Sequence, residues 1–167
     1  APLQSRISLK QKYKALIALP SCHEFESLPE TLKSLELCGA QYIEETLIIV
    51  NVNQRASVDS TNNTKTLEWL ANFETPLQLA WLDHTKAPFA YSEKFGVGLA
   101  RHQACSSGYS FLDNKAPIIS LDGDSPVNED YLKAIFTHLE NNKNFGAGHV
   151  NFKHRNCGTP EEKEAIR

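Results

Sequence analysis

The chain has 167 residues, of which 41% are hydrophobic and 22% charged, with a net charge of -3; this is the profile of one globular domain able to bury a core without disulfide staples. That charge balance lacks the basic stripe that would argue for nucleic acid, and no apolar run approaches the ~18 residues of a membrane span. Cys22, Cys38, Cys105 and Cys157 show no CxxC spacing, so neither a zinc site nor a disulfide framework is expected.

In chain order, residues 1–13 read as a lead-in, 14–154 as the domain, and 155–167 as the start of a further segment. KALIALPS (14–21) predicts a strand. SLPETLKSLELCG predicts a helix with Ser27 as N-cap, Glu30 three residues on and Gly39 as its stop. ETLIIVNV (45–52) predicts the second strand, followed by a helix through Leu67, Leu70 and Ala71 that Asp59 or Ser60 caps. LQLAWLD (77–83) is the third strand. GVGLARHQACSSG predicts a helix closed by Gly108, and APIISLD the fourth strand. NEDYLKAIFTHLENN predicts a helix capped by Asn128, with Leu132, Ile135, Phe136 and Leu139 on one face. FGAGHVNFKH (145–154) is expected as a fifth strand, weakened by its glycines. TPEEKEAIR opens a helix by the capping rules, with Thr159, Pro160 and Glu162 in place. It is too short to be stable alone, which is the expectation for a fragment or a trimmed product.

This alternation predicts an α/β fold, a mainly parallel sheet with helices on both faces. Ligands of such sheets bind outside the carboxyl ends of the strands. There the chain places Cys22 to Glu24, Asn51 to Asn53, Asp83, and the pair Asp122 and Asp124 around Gly123.

The acidic pair carries the chemistry. Adjacent carboxylates repel unless a cation neutralises them or one is protonated, and a glycine between them lets a ligand come close. Hard oxygen ligands on a short turn suit Mn²⁺ or Mg²⁺, ions that complete their shells with water and substrate phosphates. The expectation is a metal-assisted diphosphate site with Asp122 and Asp124 as ligands. Two other readings use the same residues. One is a solvated strand-to-helix turn, where Asp and Gly are common. The other is a metal-dependent phosphatase with Asp122 as nucleophile, since LDGDS resembles the Asp-x-Asp of haloacid-dehalogenase-like phosphatases. Gly96 and Gly98 of GVGLAR do not make a dinucleotide fingerprint, because Arg101 stands at the third glycine position. His149 and His154 flank the expected fifth strand, where one could complete a metal shell or touch a diphosphate; a structural hydrogen-bonded role is the alternative. His84 and His138 read as surface or helix positions. The sequon NNT at 62–64 has no export signal beside it.

Four segments, in order, resemble the family-2 glycosyltransferases: ALIALPSCHEFESLPETLKSL, ETLIIVNVNQRAS, FGVGLARHQACSSG and PIISLDGDSPVNEDYL. The resemblance, over residues 14 to about 152, implies the Rossmann-like GT-A fold and a nucleoside-diphosphate sugar donor, commonly a UDP-sugar. It implies inverting transfer to a hydroxyl of a glycan, lipid or protein acceptor. It places Pro20, Cys22, Glu24, Asn51, Asn53, Arg101 and Asp122 against the substrate, with Asp124 and Asp122 holding Mn²⁺ or Mg²⁺. Arg101 and Lys94 would face the phosphates. Asn51 and Asn53 stand where the family commonly has aspartate, and His102 where it has asparagine. The family's catalytic base and acceptor-side motif lie beyond a fifth strand, so no base is identified, and a nucleotide-sugar-binding module without transfer is the alternative. The activated-sugar donor implies a cytoplasmic location.

Overall fold

The computed structural model describes residues 1–58, 60–142, 144 and 146–151. Asp59, His154, Cys157 and the helix expected from Thr159 lie outside the described residues. The elements are β1 (Leu3–Gln4), β2 (Ala15–Ser21), α1 (Leu28–Glu36), α2 (Ala40–Ile43), β3 (Thr46–Asn53), α3 (Thr61–Asn72), β4 (Gln78–His84), α4 (Val97–Gly108), a 3₁₀ turn (Tyr109–Phe111), β5 (Ile118–Ser120) and α5 (Tyr131–Asn141). The sheet order is β1-β4-β3-β2-β5. All pairs are parallel except β1 with β4, which runs antiparallel through Leu3–Leu82 and Gln4–Trp81.

Every residue of β2 and β3 is buried, because both faces of these central strands are covered and their sequences are near-continuous apolar runs. Ile17, Leu19, Ile48 and Val50 pack on one face with Leu28, Leu32 and Leu35 of α1, Leu70 of α3 and Leu132 of α5. Leu16, Ala18, Leu47 and Ile49 pack on the other with Ala104 of α4 and Tyr13. The chain steps outward from β2 to β3 to β4, then returns over the opposite face through α4 to place β5 on the far side of β2. Beside β2 the strand order reverses, and a crevice opens at the carboxyl end of the sheet.

Several boundaries differ from the sequence expectation. The lead-in contributes β1, since Trp81 Nε1 donates to Gln4 Oε1 and the Ser5 hydroxyl to the Leu79 carbonyl. α1 ends earlier than expected, at Glu36 with Leu37 as its C-cap, and Gly39, at φ 63°, starts the short helix α2 instead. Ser27 makes no side-chain cap bond; the Glu24 carbonyl accepts the backbone N–H groups of Ser27 and Leu28 instead. Ser60 caps α3 through the Asn63 N–H. Asn128 Oδ1 accepts from the Asp130 N–H, which delays α5 to Tyr131. Residues 146–151 of the expected fifth strand are not in a strand, and Phe145 and 152–154 lie outside the described residues.

Gly108 does more than close a helix. A Cβ there would lie 2.8 and 2.9 Å from the two methyls of Leu16 and 3.0 Å from Ile49 Cδ1. The missing side chain lets α4 approach β2 and β3, both fully buried at that point. Gly108→Ala is therefore expected to destabilise the fold by about 1–3 kcal/mol through overpacking, read as a lower urea midpoint; an unchanged midpoint would show that the interface can absorb a methyl group.

Candidate functional site

The cleft lies at the carboxyl ends of β2 and β3. Pro20 and Ser21 end β2, and Asn53 ends β3; with Cys22, His23 and Glu24 they line it. Gln54, Arg55 and Val58, which follow β3, and Tyr91, Phe95 and Val97 complete the lining. Asp122, two residues beyond β5, closes the corner. The volume is about 380 Å³, within the range of small-ligand sites.

The turn carrying the aspartates is held from behind. The Thr31 hydroxyl on α1 donates to the Gly123 carbonyl at 2.9 Å, and both residues are buried. A Cβ at residue 123 would lie 2.1 Å from Glu24 Oε2 and 3.3 Å from the Pro20 carbonyl oxygen. The glycine thus lets Glu24 and the end of β2 pack closely against the turn from the protein side; a side chain there would push the Glu24 carboxylate away and crowd the Pro20 carbonyl. Asp122 and Asp124 both remain exposed. Asp122 Oδ1 pairs with Arg101 Nη2, so the Arg101 guanidinium faces the carboxylate where direct contact with phosphate is expected. An ion pair this open to solvent contributes little to stability, but it fixes where Asp122 points. Arg101 Nε is buried without a hydrogen-bond partner among the described residues.

Glu24 is the half-buried carboxylate of the group. Its Oε2 is shielded from solvent and makes no well-formed hydrogen bond among the described residues, although the Ser21 hydroxyl and the Cys22 N–H lie close enough to favour its charged form in part. Burial, with Asp124 and Asp122 nearby, raises its pKa to about 7.

The two asparagines of β3 differ in role. Asn51 is fully buried, and its amide donates to the Tyr91 hydroxyl and the Ala100 carbonyl. Its Oδ1 lies 2.8 Å from His84 Nδ1. All its polar atoms are engaged inside the protein, so it does not face the cleft as expected. His84 is buried at the end of β4, not on the surface, and burial lowers its pKa to about 4. Tyr91, also buried, is raised to about 12. Both are neutral near pH 7, which suits a network of dipoles. Asn53, by contrast, lines the cleft. Its amide donates to the carbonyls of Ser21 and Asn51, which leaves Oδ1 as its remaining polar atom.

Pro20, Cys22, Glu24, Asn53 and Asp122 thus meet around one cleft. Lys94 and His102 are exposed and are not among the cleft-lining residues, and His149 is exposed outside any strand. His23 lies within the expected Cys22 to Glu24 segment; Ser21, Gln54 and Arg55 were within reach of sequence reasoning, since they end or directly follow the central strands. Tyr91 and Phe95 carried no such signal. They arrive on the 85–96 loop, which the bonds Tyr91 N–H to Gln54 O and Ala56 N–H to Tyr91 O lay beside β3.

The donor set for a divalent ion is small but chemically suitable. Among the described residues no three His, Cys, Asp or Glu side chains are grouped as metal ligands. Two exposed carboxylates fit Mg²⁺ or Mn²⁺, which commonly take one or two carboxylates and draw the remaining ligands from water and substrate phosphates.

Comparison with solved structures identifies the fold class. The chain is similar to TarS 1–349 of S. aureus in complex with UDP-GlcNAc, with a TM-score of 0.54 and 17% identity over 77% of this chain and 31% of that one. It is likewise similar to TarS 1–349 (TM-score 0.50, 17% identity, 82% and 38% of the two chains) and to a further TarS structure (0.51, 18%, 77% and 20%). At 17–18% identity these matches establish the fold. The chain has that α/β GT-A fold, with a mixed five-stranded sheet, and spans between 20% and 38% of the length of these proteins. No protein-family profile and no curated protein matches the sequence. Among the described residues, no helix is long and apolar enough to cross a membrane.

The Glu24 carboxyl gives a pH signature. Between about pH 4.5, its ordinary value, and about 7, the folded state holds a proton that the unfolded state has lost. Stability therefore falls as pH rises through that interval. Urea denaturation at pH 5 and pH 8 is expected to show a larger loss for the wild type than for Glu24→Gln. Equal losses would mean that Glu24 is not desolvated in solution.

Proposed function

We propose that this chain is the donor-binding part of a glycosyltransferase, and that its cleft takes a nucleoside-diphosphate sugar of the UDP class. The observation that carries the reading is the meeting of two features at one switch point of a GT-A sheet. One is a cleft bounded by Pro20, Asn53 and Asp122; the other is a rigidly backed turn that presents Asp122 and Asp124 to solvent beside it. Fold alone does not specify function; the site does, because an exposed acidic pair beside a ligand-sized cleft is a place for a cation and the diphosphate it accompanies.

In this reading the base lies between Pro20 and the Asn53–Val58 segment. Asn53 offers an acceptor, because its amide hydrogens are already donated to two carbonyl oxygens. An acceptor at that position suits the ring N–H of uracil and not the bare ring nitrogen of cytosine. Val58, Phe95 and Val97, each more than a third exposed, cover the apolar faces of base and ribose. The diphosphate points toward the corner at Asp122. Asp124 and Asp122 would hold Mn²⁺ or Mg²⁺ there, and such an ion supplies neutralisation of the charge that builds on the leaving diphosphate. Arg101 orients Asp122 through its ion pair. Attack by an acceptor hydroxyl with inversion at the sugar carbon completes the proposed reaction, and the base that activates this hydroxyl is not assigned to any residue of the chain.

Calorimetric titration with UDP, with and without Mn²⁺, tests this reading. UDP is expected to bind more tightly with Mn²⁺ and more tightly than CDP, and Asp124→Ala is expected to remove the Mn²⁺-dependent part, at least about tenfold in affinity. Mn²⁺-enhanced binding that survives Asp124→Ala would take the ion away from this turn. Phosphate release from a generic ester, lost in Asp122→Asn, would instead establish the phosphatase reading.

A further inference from the structure

The β2–α1 loop, residues 22–26, supplies Cys22, His23 and Glu24 to the cleft, yet it has no sheet partner of its own. His23 sits at φ 63°, a left-handed conformation that a side chain disfavours. Something outside the loop must hold it. Its two interior amides supply the answer: the His23 N–H donates to Asn63 Oδ1 at 2.8 Å, and the Phe25 N–H donates to Asn62 Oδ1 at 3.0 Å.

The other ends of these side chains are also committed. Asn63 is fully buried, and its Nδ2 donates to the Asn53 carbonyl and to Gln54 Oε1, both at 3.0 Å. Asn62 Nδ2 donates to Glu26 Oε2 at 2.8 Å. One asparagine therefore ties the loop to the end of β3, across the floor of the cleft, and the next ties it to the first turn of α3. Asparagine is a poor helix former because its amide competes with the backbone. Two in succession at the start of α3 make physical sense where the side chains satisfy backbone groups elsewhere. The same bonds engage the acceptor asparagine of the sequon at 62–64 within the fold.

We propose that Asn62 and Asn63 are positioning residues that clamp the 22–26 wall of the cleft in its ligand-ready conformation, and so set its affinity for the nucleoside diphosphate. This rests on the proposed function for the ligand, but the clamp itself can be read without it. Neither residue is among the cleft-lining ones; both act through the loop. An unclamped loop must be ordered by the ligand when it binds, which weakens affinity without removing any contact.

Asn62, half-buried at the surface, is the residue to change, since replacing the fully buried Asn63 would disturb the core. In Asn62→Ala, hydrogen exchange over residues 23–26 is expected to rise about fivefold or more, with β3 and α4 unchanged, and UDP affinity in Mn²⁺ to fall about fivefold, the loss of one backbone hydrogen bond. The double variant Asn62→Asp, Glu26→Gln keeps the acceptor for Phe25 and a donor–acceptor pair with residue 26, so it is expected to restore both readouts. Exchange over residues 23–26 that is unchanged in Asn62→Ala overturns the clamp, as does a double variant that exchanges like the alanine one. Wild-type protein that binds no nucleoside diphosphate, yet shows the exchange differences, overturns the proposed function and leaves the clamp standing.

Discussion

The architecture of the site depends on how the turn around Gly123 is backed: the Thr31 hydroxyl on α1 holds the Gly123 carbonyl. A Cβ at this position would displace the Glu24 carboxylate tip and fit tightly, at 3.3 Å, against the Pro20 carbonyl oxygen. With its carbonyl held by Thr31, the turn packs against the end of β2 and its flanking aspartates face solvent. That places Asp122 at the corner of the cleft and leaves Asp124 exposed beside it.

Three carboxylates, Glu24, Asp122 and Asp124, meet within a short distance of one another's fields, and the protein handles each differently. Glu24 is desolvated, with its pKa raised. Asp122 is balanced by Arg101. Asp124 is exposed and accepts from the neighbouring Ser125 hydroxyl. The polar network behind the cleft follows the opposite logic. Asn51, His84 and Tyr91 are buried; His84 and Tyr91 are neutral and each is hydrogen-bonded to the Asn51 side chain, and they tie the ends of β3 and β4 to the loop that carries Phe95.

The central sheet was legible because its strands are apolar runs bounded by turn residues, and strand–helix alternation admits few topologies. The position of Asp122 followed from the same rule. What could not be read was the outcome of competition for hydrogen bonds. Asn51 and Asn53 are the same residue two positions apart on one strand, and only the fold decides that one is consumed inside and the other lines the cleft. Asn128 looked like a helix cap but closes a local turn instead, because its side chain reaches the Asp130 N–H first. His84 gave no sign of burial, since a polar residue at the end of a strand can face solvent as easily as a buried amide. β1 pairs only two residues, too few to make a periodic signal, and Gly108 looked like a stop because close packing against Leu16 has no local signature.

The central claim is that a nucleoside diphosphate and a divalent ion meet where the β2 and β3 ends face the turn around Gly123. Backbone amide NMR during titration with UDP and Mg²⁺ tests it directly, because the diamagnetic ion leaves every resonance observable. Shifts concentrated in residues 20–24, 53–58 and 122–124 are the expected result. Saturating ligand that leaves those amides unmoved, or that moves a different region of the sheet, would contradict the account.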